Sequence, residues 1–164
     1  MLEAIAAAIW IGAGATALTD LWVIVRRRWF GVPAPDFGLL GRWIAYLVHG
    51  RFHHDAIVAT PAVKAERAIG WFSHYLIGIA FAAILLGIWG LEWARHPTLF
   101  PAMVVGISTV AAPFLLMQPG MGLGIAASRT PKPGVARVRS IVMHAVFGLG
   151  LYGAACMLSV FQQW

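Results

Sequence analysis

Charged residues are scarce in this chain, and their scarcity limits the folds open to it. Only 11% of its 164 residues are Asp, Glu, Lys or Arg, whereas 60% are hydrophobic and the mean hydropathy is +0.79. Soluble domains carry about 25% charged residues, so a soluble fold would leave too much apolar surface in water. The composition therefore indicates an integral membrane protein.

Several motifs of soluble chemistry are also missing. The single cysteine, Cys156, excludes an intrachain disulfide. The sequence has no GxxxxGK(S/T) phosphate loop, no CxxC pair, no HExxH zinc motif and no GxSxG nucleophile elbow. These absences argue against nucleotide-driven transport and the common hydrolases, so the balance is against an enzyme.

Four apolar runs are long enough to cross a bilayer core of about 30 Å at about 1.5 Å per helical residue. They lie at about residues 2–25, 68–91, 100–118 or slightly beyond, and 140–161. The first run has no Lys or Arg before it, so we expect an anchor and not a cleaved signal peptide. The sequence predicts one all-α integral membrane domain over residues 1–164 with four transmembrane helices.

The basic residues are distributed unevenly. Eleven of the twelve Lys and Arg residues lie in the first and third connections, and only Arg95 lies in the second. Basic residues concentrate on the cytoplasmic side of membrane proteins. We therefore expect both connections in the cytoplasm, both termini in the periplasm, contacts with anionic lipid head groups, and no nucleic-acid partner.

The first connection is long enough to contain a helix. After a breaker-rich stretch that ends at Asp36, apolar residues recur at helical spacing to about Val48. Asp36 is a good N-cap, and Trp43 and Tyr46 are typical of the membrane–water interface. We predict an amphipathic helix over about 36–48 on the cytoplasmic leaflet.

The third run is irregular. Pro113 should kink the helix, and the glycine-rich stretch that begins at Gln118 should interrupt it. Two interpretations stay open: a span broken at Pro119, or a plain helix that ends at Gln118 before an interfacial segment.

Two stretches repeat each other, Arg67-x6-His74-x3-Gly78 and Arg137-x6-His144-x3-Gly148. Each opens an apolar run, and both runs cross the membrane in the same direction. The match predicts a parallel two-span duplication whose axis lies along the membrane normal.

One polar residue per span lies about 8–10 Å inside the cytoplasmic boundary, on a stripe of small residues. These four residues are Asp20, His74, Gln118 and His144. They predict an intramembrane site that binds or passes a small ligand, ion or proton. The alternative is a structural accessory subunit in which the same residues only hold helices together.

Histidines suggest a third function, a membrane-embedded metal or haem redox protein. His74 and His144 could ligate a haem iron or a transition metal. His49, His53 and His54 resemble one histidine box of membrane desaturases, although those enzymes combine several boxes. An interfacial loop whose cations meet lipid phosphates is the preferred explanation of these three residues. No cofactor is therefore predicted, and haem or a transition metal stays the alternative.

Eight short runs together carry a resemblance to a known family, namely Thr19–Trp22, Phe30–Pro33, Gly41–Trp43, Gly50–His54, Glu66–Trp71, His74–Tyr75, Met117–Gly122 and Ala126–Pro131. They resemble an uncharacterised bacterial membrane family, domain-of-unknown-function family 2938. The resemblance covers essentially the whole chain and implies a bacterial inner-membrane location, but it brings no activity and no catalytic residues. Because four spans are few for a transporter, we expect a homodimer or larger assembly.

Overall fold

The computed structural model describes residues 1–161, which contain helices and no strand. The long helices are α1 (Leu2–Phe30), α2 (Phe37–Val48), α3 (Glu66–Arg95), α4 (Leu99–Ser108) and α5 (Pro133–Phe161). Four stretches are long and apolar enough to cross a membrane, namely α1, α3, α5 and the third span Leu99–Gly120. The predicted all-α class, with four spans and one shorter helix, is confirmed.

The described residues fall into two compact units. The first unit contains Met1–Ala34, Tyr75–Thr109 and residues 142–161, and the second contains Pro35–His74 and Val110–Ile141. Each unit has its own buried apolar cluster. The duplication predicted from the repeat stays a prediction.

Helices of the first unit pack at glycines. A methyl group at Gly12 of α1 would overlap the backbone of Gly78 and Ile79 of α3. A methyl group at Gly106 of α4 would likewise overlap Gly148 of α5. Small residues allow helix backbones to approach closely where lipid supplies no hydrophobic driving force. The predicted small-residue stripes are therefore helix contacts, while many large apolar side chains on the outside remain exposed, as lipid contact requires.

The second unit is built around α2. Asp36 caps this helix, because its Oδ1 accepts a hydrogen bond from the Gly38 N–H at 2.8 Å. A methyl group at Gly70 of α3 would overlap the Phe37 carbonyl, so α2 lies against the first turns of α3. The predicted helix over 36–48 thus exists, and its place on the membrane surface stays a prediction. The buried apolar cluster of the second unit consists of Leu40, Trp43, Ile57 and Met121.

The third span is irregular from Pro113, as predicted, but it continues through Pro119. After α4 a wider, π-type turn runs over Pro113–Met117, in which the Gln118 N–H donates to the carbonyl of Pro113, five residues back. A short helical turn, Gln118–Gly120, ends the span. The helix therefore does not break at Pro119 and does not end at Gln118, which were the two open interpretations. It ends at Gly120, two residues before Gly122. Gly122 and Gly124 then adopt positive φ angles of 87° and 73°, which glycine adopts at little cost.

Candidate functional site

In the first unit, Asp20 is paired with a hydroxyl group. The Tyr75 Oη–H of α3 donates to Asp20 Oδ2 of α1 at 3.1 Å. Asp20 lies two helical turns beyond Gly12, on the stripe where α1 meets α3. The helix contact therefore positions the carboxylate beside a phenol. Tyr75, which the sequence reasoning missed, immediately follows His74.

His144 is also paired with a hydroxyl group in the first unit. Its Nδ1 lies 3.0 Å from Thr109 Oγ1, and that hydroxyl donates to the Gly106 carbonyl at 2.6 Å. Because the hydroxyl hydrogen is used on Gly106, the Thr109 oxygen accepts from an N–H on Nδ1. Thr109 immediately follows α4 and was not singled out from the sequence, because no spacing in the chain pairs it with His144.

In the second unit, His74 lies among aromatic rings. Its ring centroid is 4.3 Å from that of Phe37, with an interplanar angle of 31°, and 5.9 Å from that of Trp71. The Phe37 and Trp71 rings are themselves 4.5 Å apart. An imidazole between rings can be a packing group or a cation held by ring faces. His74 thus belongs to a cluster of rings that joins α2 to α3.

Gln118 is buried in the second unit without a full set of partners. It is 7% exposed, and its Oε1 has no hydrogen-bond partner among residues 1–161. The residue lies between the π-type turn and the glycines that end the third span. A buried carbonyl that accepts no hydrogen bond is unusual and costs about 1–3 kcal/mol. Gln118 is therefore the predicted site residue whose chemistry calls for a further partner.

The end of the third span is joined to the loop after α2, and we call residues 52–60 and 117–124 together the junction. The His54 N–H donates to the Gly120 carbonyl at 2.9 Å, and the Ile57 N–H to the Met121 carbonyl at 3.0 Å. A methyl group at Gly120 would overlap the Trp43 ring, and one at Gly122 the backbone of Asp55. Glycine at both positions thus permits the close approach of the two segments.

The junction buries one histidine of the predicted metal trio. His54 is 1% exposed, and its Nδ1 lies 3.0 Å from Thr60 Oγ1. Its Nε2 has no hydrogen-bond partner in the described part of the chain. Burial lowers the pKa of His54 below its ordinary value, and the positive charge of Arg51 lowers it further. His54 is consequently neutral at pH 7.

The other two histidines of that trio lie apart from this burial. His49 is exposed, with its Nδ1 2.8 Å from the Ala45 carbonyl, and His53 is exposed too. Over residues 1–161, no three His, Cys, Asp or Glu side chains gather where one metal ion could touch them all. The structure therefore does not bring His49, His53 and His54 together as a ligand set.

An ion pair holds the junction against its neighbours. The Arg42 guanidinium donates to both carboxylate oxygens of Glu66 at 2.8 Å, and to the Ile57 and Thr60 carbonyls at 3.2 and 2.9 Å. The hydrogen bond to Glu66 raises the pKa of Arg42 above its ordinary value. Sequence reasoning counted Arg42 only as a basic residue of the first connection. It is instead the cation that fixes the loop, α2 and the start of α3 together.

Comparison with known proteins gives one match. A family model described as "Protein of unknown function (DUF2938)" matches residues 9–158. No curated protein and no solved structure matches the chain. The matched range includes all the candidate residues described above, so they lie within the shared family region.

Proposed function

The chain belongs to the DUF2938 family of proteins of unknown function, and we propose that it is a membrane protein whose buried polar groups bind or pass a small ligand, ion or proton. The observation that supports this most is Gln118, whose buried Oε1 lacks a partner at the interrupted end of the third span. Irregular backbone at membrane depth is tolerated where it is buried in protein or lines a cavity, and transporters use such interruptions to bind cargo.

Asp20 and His144 supply groups that can change their protonation. Each is hydrogen-bonded to a hydroxyl, Asp20 to Tyr75 and His144 to Thr109. A hydroxyl both donates and accepts, so each pair can gain or lose a proton and keep its hydrogen bond by rotation of that hydroxyl. His74, between its two rings, is the corresponding switchable group of the second unit. Such pairs suit the passage of a proton.

The same pairs favour a second candidate, a structural accessory subunit. Hydrogen bonds between helices in membranes average about 0.6 kcal/mol, which is useful as helix–helix adhesion without any ligand. This reading explains Asp20–Tyr75 and His144–Thr109 completely. It leaves Gln118 unexplained. The third candidate is a metal or haem redox protein. Among residues 1–161, no three His, Cys, Asp or Glu side chains gather as a ligand set that would support it.

A binding assay with a matched variant tests the proposal. The purified protein and its Gln118→Leu variant would be placed in lipid nanodiscs, and their melting temperatures measured with a panel of salts and small polar solutes. Proton passage would be followed in liposomes with an internal pH dye under an imposed potential. We expect the wild type, and not the variant, to be stabilised by a solute or to conduct. If neither protein does either, the structural candidate replaces this one.

We further propose a bacterial inner-membrane location, with both termini in the periplasm, cytoplasmic first and third connections that meet anionic lipid head groups, and a homodimer or larger assembly. The support is the concentration of eleven basic residues in those two connections. A reporter fused after Trp164 should behave as external, and one inserted within 129–139 as cytoplasmic. A cytoplasmic reporter at Trp164 would contradict this topology, and light scattering of the purified protein would test the assembly.

A further inference from the structure

Two buried acceptor groups lie in neighbouring segments of the junction. Among residues 1–161, Gln118 Oε1 and His54 Nε2 both have no hydrogen-bond partner, and their residues are 7% and 1% exposed. The backbones that carry them are joined, since the His54 N–H donates to the carbonyl of Gly120, two residues after Gln118. Buried polar atoms are as a rule hydrogen-bonded, so each of these two atoms calls for a partner.

The hydrogen bonds of Thr60 assign the proton on His54. The Thr60 hydroxyl donates to the Ala56 carbonyl at 3.3 Å, so its oxygen is left to accept from the imidazole Nδ1–H. With the proton on Nδ1, a neutral imidazole has a bare lone pair on Nε2. Gln118 Oε1 is an acceptor in every state. The missing partner must therefore supply hydrogen-bond donors.

The charges around His54 indicate which class of hydrogen-bond donor could bind there. The Arg51 guanidinium lies 5.6 Å from the centroid of the Tyr46 ring, which itself packs edge-on against the His54 ring. Arg51 and His53 oppose positive charge on His54, whereas Asp55 and the Arg51 backbone carbonyl favour it, and burial outweighs both. A cationic ligand would meet the same desolvation as the imidazolium, and an anion without donors would face two lone pairs. An uncharged donor avoids both costs.

We infer that His54 and Gln118 are the two acceptors of a binding site for a small uncharged molecule with N–H or O–H donors, of the carboxamide or polyol kind. This inference rests on the proposed function and names its ligand class. It also assigns His54 a role that its place in a histidine box does not suggest. Trp43 lies beside the junction, and its Nε1–H donates to the carbonyl of Phe52, the first residue of the junction, at 2.9 Å.

Three probes of similar size test the ligand class. Acetamide is an uncharged donor, methylammonium a cationic donor, and acetate an anion without donors. Protein with ¹⁵N-labelled histidine would be titrated in nanodiscs with each, and the ring nitrogens of His54 followed by NMR. We expect the free protein to show Nδ1 protonated and Nε2 bare. Acetamide alone should shift the Nε2 signal.

Substitutions at Gln118, His54 and His53 test whether the acetamide response arises at the proposed site. Gln118→Met keeps the side-chain length and removes the carbonyl, and it should weaken the acetamide response at least tenfold. His54→Phe should abolish that response in a melting assay, whereas His53→Phe, the same exchange at the exposed neighbour, should leave it unchanged. If His54→Phe does not fold, the Gln118→Met titration against wild type decides alone.

The outcomes separate this inference from the proposed function. A proton on Nε2 would make that atom a donor and not an acceptor, and would overturn the inference. No response to acetamide, with unchanged signals in Gln118→Met, would overturn it as well. A response to methylammonium or acetate as large as that to acetamide would overturn the uncharged class, while binding at buried polar groups would stand.

Discussion

Within each of the two units of this protein, a different kind of contact stabilises the fold. The first is a set of long helices that touch at glycines, such as Gly12 and Gly106, where backbones lie close together. Its threonine hydroxyls mostly turn back on their own helix, as Thr16 does to Gly12 at 2.8 Å. The second unit also has close glycine contacts, but it contains loops and interrupted helices as well. Those loops are held by side chains that donate to loop carbonyls, chiefly Arg42 and Trp43.

This difference teaches where each kind of interaction is needed. A membrane helix satisfies its own backbone, so its neighbours need only fit its shape. A loop at the end of a span has free carbonyls and N–H groups, and these require named partners. We therefore expect shape changes to damage the first unit, and loss of a single donor to damage the second.

The largest effect should follow loss of the Arg42 guanidinium. Arg42→Met would leave the carboxylate of Glu66 and the carbonyls of Ile57 and Thr60 without their donor, in a pair whose side chains are only 11% and 21% exposed. Removing one partner of a largely buried pair costs about 3–5 kcal/mol. Reversible unfolding in mixed micelles, followed by tryptophan fluorescence, would measure this loss.

A matched control exists in the first unit. Arg95 pairs with Glu3 at 2.9 Å, and both side chains are about half exposed, at 48% and 49%. Exposed pairs contribute about 0–1 kcal/mol, so Arg95→Met should be nearly silent. Equal losses in Arg42→Met and Arg95→Met would contradict the special role given to loop carbonyls in the second unit.

The next largest effect should come from a methyl group at a helix contact. Gly12→Ala places its Cβ against the backbone of Gly78 and Ile79, which cannot yield as a flexible side chain would. Overpacking of this kind costs about 1–3 kcal/mol. Gly87→Ala is the control, because nothing lies within 4 Å of its added Cβ. The control should be neutral or slightly stabilising, because alanine is a better helix former than glycine. A comparable loss in both variants would contradict the role given to the close contact at Gly12.

The sequence predicts the first unit better than the second, for a physical reason. Helical periodicity places Gly12, Thr16 and Asp20 on one face, and small residues can then be assigned to helix contacts. Nothing periodic pairs the loop near His54 with the glycines after Gln118, because hydrogen bonds between distant backbone groups leave no spacing in the chain. Glycine positions indicate a turn there but not its partner.

Site residues are predictable where a polar group interrupts an apolar run, in either unit. Gln118 could be found because a polar residue in an apolar run is costly. His54 was found for another reason, metal ligation, since its pattern does not show that it alone of three histidines is buried. Arg42 and Glu66 lie 24 residues apart, and each resembles an ordinary boundary charge. Their pairing depends on how α2 meets α3.

A smaller effect should appear as pH dependence of the second unit. Because burial lowers the pKa of His54 in the folded protein, the unfolded chain binds its proton more readily. Stability from this residue is thus complete above the unfolded pKa of about 6.5 and is lost as pH falls below it. The slope is at most one proton, or about 1.4 kcal/mol per pH unit. Unfolding of wild type and His54→Gln between pH 8 and pH 5 would measure it.

The exposed neighbour supplies the control for this titration. His53→Gln removes a histidine from the same loop without removing a buried imidazole, so it should keep the wild-type slope, whereas His54→Gln should flatten it. A slope that survives His54→Gln would assign the pH dependence to other groups and remove this distinction between the two units.

The smallest effect should be that of Asp20→Asn in the first unit. Asparagine keeps a carbonyl oxygen that accepts from the Tyr75 hydroxyl, whose present distance to Asp20 Oδ2 is 3.1 Å, and it removes the charge. If Asp20 is only a helix contact, stability should change by less than about 0.5 kcal/mol, and Asp20→Leu, which has no acceptor, should cost about 0.6 kcal/mol or somewhat more. If the carboxylate carries a proton, Asp20→Asn should abolish proton passage in liposomes. It should also hold or raise the melting temperature, because a costly charge within a membrane span has gone. Proton passage that survives Asp20→Asn unchanged would leave this carboxylate with a packing role alone, in keeping with a unit held together by shape.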